Sequence, residues 1–92
     1  MPSASALRRI ARRHGVGDLK LFGSTVRSDF RPDSDIDVLL RFRDDVRPTL
    51  RSLIDLECAL EVAFTRDVDL VREEVIDPEP RARIDREAVP LL

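Results

Sequence analysis

The chain has 92 residues, 42% of them hydrophobic, and a formal charge of −2 from 16 basic and 18 acidic side chains. That length fits one compact domain over residues 1–92 with a core of moderate size, and leaves no room for a second. Only four aromatic residues, all Phe, and no basic excess argue against direct nucleic-acid binding, and the absence of a long apolar run or basic-plus-apolar leader argues against a membrane and for the cytoplasm.

Ser3 or Ser5 can cap a first helix running to about Arg13, where His14-Gly15 supplies a stop and His14 reads as a capping residue. Arg8, Arg9, Arg12 and Arg13 fall opposite Leu7, Ile10 and Ala11. They make a solvated face or, alternatively, a dock for an acidic partner or RNA. A strand over Leu19 to Phe22 leads into a Gly-Ser turn and a short helix ending before Arg31-Pro32. A second strand is expected over Asp35 to Phe42.

The main core helix is predicted from about Pro48 to Phe64, with Leu50, Leu53, Ile54, Leu56, Leu60 and Phe64 on its apolar side. Glu57 falls inside that stripe, so it either pairs with an arginine or faces a partner. Cys58, the single cysteine, cannot form an internal disulfide and reads as a packed thiol. A third strand spans Asp67 to Val71, with Asp67 and Asp69 on one face and Val68 and Leu70 on the other. After Asp77-Pro78-Glu79-Pro80 a last helix covers Arg81 to Val89. The expected fold class is α/β (α+β): a small mixed three-stranded sheet with flanking helices.

The chemistry concentrates between Gly23 and Val38. Side chains two apart on a strand share a face, so Asp35 and Asp37 stand together while Ile36, Val38 and Leu40 enter the core. Two such charges repel unless a cation lies between them, and all-oxygen ligation suits Mg²⁺ with a substrate phosphate in its shell. Gly23 admits close backbone approach to a ligand, and Ser24 with the following amides can open a helix whose N-terminus favours anions. Each piece alone has a plainer reading: a helix cap at Gly23-Ser24, a turn at Asp33-Ser34-Asp35, a rim carboxylate at Asp69.

Taken together, Gly23, Ser24, Arg27, Ser34, Asp35, Ile36 and Asp37 resemble the motif of the minimal nucleotidyltransferases (MNT proteins) of the polymerase-beta superfamily. Arg66-Asp67-Val68-Asp69-Leu70-Val71 is similar to the segment that carries that family's third carboxylate, and the tail from Arg83 to Leu91 resembles its closing segment. The resemblance implies a polymerase-beta-like fold and transfer of AMP from ATP to a hydroxyl, with Asp35, Asp37 and Asp69 holding two Mg²⁺ ions. It implies phosphate binding by Gly23 and Ser24, while Arg27 either contacts the phosphates or pairs with Asp29 or Asp33.

Small members of this family are paired with HEPN-domain toxins and AMPylate a tyrosine of that partner. The resemblance therefore points to an antitoxin whose acceptor hydroxyl lies on a HEPN protein. This chain contains no tyrosine and cannot be its own tyrosine acceptor. A non-catalytic antitoxin or regulatory subunit that masks its partner by contact is the alternative.

Overall fold

The computed structural model describes residues 2–23 and 35–92. The short helix expected before Arg31-Pro32 and the expected nucleotide contacts Ser24 and Arg27 lie outside the described residues.

Helix α1 (Ala4–His14) begins where Ser3 accepts a hydrogen bond from the Ala6 amide at 3.1 Å, and ends where Gly15 turns left-handed at φ 75°. Leu7 and Ala11 face inward while Arg8, Arg9, Arg12 and Arg13 are exposed, as amphipathic spacing requires. The cap itself is Gly15, with His14 as the last helical residue.

Strand β1 (Val16–Leu21) starts three residues before the expected Leu19. Gly17 and Asp18 are poor strand formers, and an irregularity in the pairing between Val16 and Asp18 accommodates them. Strand β2 (Ile36–Phe42) runs antiparallel to β1, and β3 (Val68–Arg72) runs parallel to β2. A parallel pair needs a crossover, which α2 (Leu50–Phe64) provides. Its start is fixed by Thr49 and Ser52: the Thr49 hydroxyl accepts the Ser52 amide at 3.1 Å, and the Ser52 hydroxyl accepts the Thr49 amide at 2.7 Å.

Beyond β3 a short 3₁₀ turn (Glu73–Val75) is held by Arg72, whose guanidinium lies 2.7 Å from the Glu74 carboxylate. Slight burial of Glu74 pushes its carboxyl up, but hydrogen bonds from its own backbone and from Arg72 outweigh this and hold it below the ordinary range. Helix α3 (Pro78–Glu87) follows, and β4 (Val89–Pro90) pairs antiparallel with β1.

The sheet therefore has four strands in the order β3-β2-β1-β4, one more than expected. Val89, placed in the last helix by sequence, is instead extended because the residue before a proline is driven out of the helical region. Pro78, read as loop, occupies the first helical turn, where its missing N–H costs nothing.

The core lies on one face of the sheet. Leu19, Leu21, Ile36, Val38, Leu40 and Val68 meet Leu7 and Ala11 of α1 and Leu56, Leu60 and Phe64 of α2. Each fully buried leucine contributes roughly 1.5–3 kcal/mol. Two expectations for α2 need correction. Leu50 and Ile54 are 75% and 48% exposed, because the buried stripe follows Leu53, Leu56, Leu60 and Phe64. Cys58, four residues from both Ile54 and Val62, shares their outer side and is exposed rather than packed. Glu57 forms no ion pair with another described residue and is half-buried at the rim of a groove between α2 and β3. Among the described residues no helix is long and apolar enough to cross a membrane.

Candidate active site

Alternation along β2 sends Ile36, Val38 and Leu40 into the core and leaves Asp37 and Leu39 on the opposite face. On that face Asp37 is the direct ladder partner of Asp69. Adjacent strands lie about 4.8 Å apart, so the two carboxylates stand side by side. Leu39 is buried between its ladder partners Lys20 and Val71, giving the acidic pair an apolar floor.

The end of β1 closes the site from the other side. The Phe22 amide donates to the Asp37 carbonyl at 3.1 Å, which draws Gly23 against the carboxylate. Gly23 has φ 65°, and a Cβ placed on it would come within 2.6 Å of Asp37 Oδ2. Any other residue would be strained by this backbone and would displace the Asp37 carboxylate.

Asp35 lies two residues ahead of Asp37, just outside β2, and is exposed. Among the described residues no three His, Cys, Asp or Glu side chains are gathered so as to hold a metal ion. The structure thus brings Gly23, Asp37 and Asp69 together and leaves Asp35 beside them rather than between them. This donor set still fits Mg²⁺, which takes one or two carboxylates and fills its shell with water and phosphate oxygens.

A residue that sequence reasoning missed fixes the β3 register. The Glu61 carboxylate accepts the Val68 amide at 3.2 Å, and its carbonyl accepts the amides of Thr65 and Arg66. Thr65 sits left-handed at φ 55°, unusual for a β-branched residue, and so turns the chain sharply into β3. No sequence signal marks a contact seven residues apart across a turn. Asp67, the other aspartate of this segment, holds β2 through its backbone carbonyl, which accepts the Ile36 amide at 2.9 Å. Its surroundings are a separate cavity with Cys58, Glu61 and Val62, away from Asp37.

Beside Gly23 opens a cavity of about 450 Å³, lined by Phe22, Gly23, Pro80, Arg83, Ile84 and Glu87. It joins the end of β1 to one face of α3.

The family described as the nucleotidyltransferase domain matches residues 4–91. The chain belongs to that family. It is also similar to the protein adenylyltransferase MntA of Thermococcus cleftensis, at 34% identity over 89% of its own length and 81% of the relative's. A solved structure provisionally described as a minimal nucleotidyltransferase superposes with a TM-score of 0.79 at 36% identity, covering 95% of this chain and 87% of that one. The fold also matches, with a TM-score of 0.66 at 19% identity, a chain in the complex of the MNT antitoxin with the tri-AMPylated HEPN toxin of Shewanella oneidensis. That match covers 97% of this chain and 68% of the other.

Proposed function

We propose that this nucleotidyltransferase acts as an antitoxin that moves AMP from ATP to a tyrosine hydroxyl of a HEPN-domain partner. The observation that carries the reading is the ladder pairing of Asp37 with Asp69 beneath a glycine that no other residue can replace without displacing a carboxylate. The name of the Thermococcus relative supports adenylyl transfer, and the AMP-bearing HEPN toxin bound to an MNT antitoxin of the same fold supports the choice of partner.

In this reading Asp35, Asp37 and Asp69 hold Mg²⁺, which when bound neutralises the triphosphate and the leaving pyrophosphate. Gly23 lets the phosphates approach the backbone, and Ser24 and Arg27, next along the chain, complete the phosphate cradle. The acceptor oxygen forms its bond to the α-phosphorus as the bond from that phosphorus to the bridging oxygen of pyrophosphate breaks. An Asp69 carboxylate oxygen takes the hydroxyl proton.

Isotope position tests the chemistry. With Mg²⁺ and the HEPN partner, ATP labelled at the α-phosphorus transfers label to the partner, whereas ATP labelled at the γ-phosphorus releases it as pyrophosphate. Transfer of the γ-label, or α-labelling of free RNA or a small alcohol with no dependence on the partner, contradicts the proposal. Because this chain has no tyrosine, every AMP-tyrosine in the mixture belongs to the partner.

A further inference from the structure

The cavity beside Gly23 has one wall that the nucleotidyltransferase reading has not used. Pro80, Arg83, Ile84 and Glu87 are spaced i, i+3, i+4 and i+7, so they form a single face of α3, and that face looks onto Phe22 and Gly23. We infer that this face of α3 is the second wall of the nucleotide site, with Arg83 contacting the phosphates and Phe22 and Ile84 enclosing the base.

Topology explains why α3 is there. Strand β3 lies at one edge of the sheet and β4 pairs with β1 at the other, so the chain between them must pass from edge to edge. The β4 partners Leu21 and Lys20 shortly precede Gly23, so α3 ends beside the end of β1.

Chemistry selects Arg83. A cluster of carboxylates repels an anionic triphosphate, and a cation on the facing wall offsets that repulsion. Arg83 is exposed and makes no ion pair or hydrogen bond with another described residue, so its donors are available to a ligand. A guanidinium meets phosphate oxygens through two parallel donors, which orients as well as binds. The cavity volume of about 450 Å³ is within the range of small-molecule sites, and its mainly apolar lining suits a purine base.

The inference rests on the nucleotide reading proposed above, and direct binding separates the two. Titration of the full chain with Mg²⁺ and α,β-methylene-ATP, whose scissile bridge cannot break, should show binding roughly tenfold to a hundredfold weaker for Arg83→Gln than for the parent chain. Arg83→Lys should recover part of the loss, since it restores charge without the two-donor geometry. Arg86→Gln, which removes the same charge from α3 outside the cavity, should bind like the parent. With the partner present, Arg83→Gln should raise KM for ATP, and Arg86→Gln should not.

Equal affinity for Arg83→Gln and the parent, or equal loss for Arg83→Gln and Arg86→Gln, overturns the inference while leaving AMP transfer standing. Arg83-dependent nucleotide binding by a chain that transfers no AMP overturns the functional proposal and keeps the inference. No binding by the parent chain overturns both.

Discussion

Asp69→Asn should abolish AMP transfer to the partner, lowering the rate by at least about a hundredfold, and Asp37→Asn should do the same. Each removes a ligand charge at nearly constant volume, from positions that face each other across the β2–β3 ladder. The fold should persist, because neither side chain belongs to the core and replacing one carboxylate relieves repulsion in the metal-free protein. Thermal melting separates the two effects. Mg²⁺ with ATP should raise Tm of the parent chain by mass action and raise that of either variant much less. Asp67→Asn is the internal control: it lies on the turn out of α2 and should keep most of the rate. Retention of full transfer by Asp69→Asn, with loss in Asp67→Asn, would mean that the wrong one of these two aspartates has been placed in the site.

Gly23→Ala should be nearly as damaging to activity, through geometry rather than charge. At φ 65° an added Cβ meets Asp37 Oδ2 at 2.6 Å, so the carboxylate must rotate away or the end of β1 must lift. Either movement displaces a group that has to act at ångström precision, and a loss of roughly a hundredfold in kcat is expected. The stability cost should be modest, about 1–2 kcal/mol from the left-handed backbone. Gly15→Ala provides the contrast. It too is left-handed, and its Cβ would press on Val46 Cγ2 at 2.8 Å, at the opposite end of β1 from the site. Denaturant unfolding should therefore show a loss of stability for Gly15→Ala without a matching loss of transfer. Equal activity of Gly23→Ala and the parent would remove Gly23 from the site.

What the sequence made legible was what depends on near neighbours. Alternation in Asp35 to Leu40 separates the acidic face from the core face without any tertiary information, and the Ser3 and Gly15 signals bound α1 nearly to the residue. Side-by-side placement of Asp37 and Asp69 is different in kind. It depends on the β3 register, which Glu61 and the left-handed Thr65 set through contacts that periodicity does not encode.

Errors arose where a helix has more apolar residues than its buried stripe needs. The apolar spacing groups Leu50 and Ile54 with Leu53, Leu56, Leu60 and Phe64, yet it is Leu56, Leu60 and Phe64 that meet the sheet while Leu50 and Ile54 stay exposed. The last strand was readable in principle. Pro90 forbids helix at Val89, but a two-residue strand that exists only by pairing with Leu21 and Lys20 leaves little pattern of its own. The role of α3 as a wall of the site was not legible at all, since Pro80, Arg83, Ile84 and Glu87 acquire meaning only once the helix lies against Gly23.

The most direct test of an AMP-transferring antitoxin is the intact mass of the HEPN partner purified from cells that also express this chain. Coexpression with the parent chain should leave the partner heavier by one or more AMP groups, located on tyrosine, and should restore growth. Coexpression with the Asp37→Asn, Asp69→Asn double variant should leave the partner unmodified and toxic. An unmodified partner that is nonetheless neutralised by the double variant would contradict the account and establish masking by contact in its place.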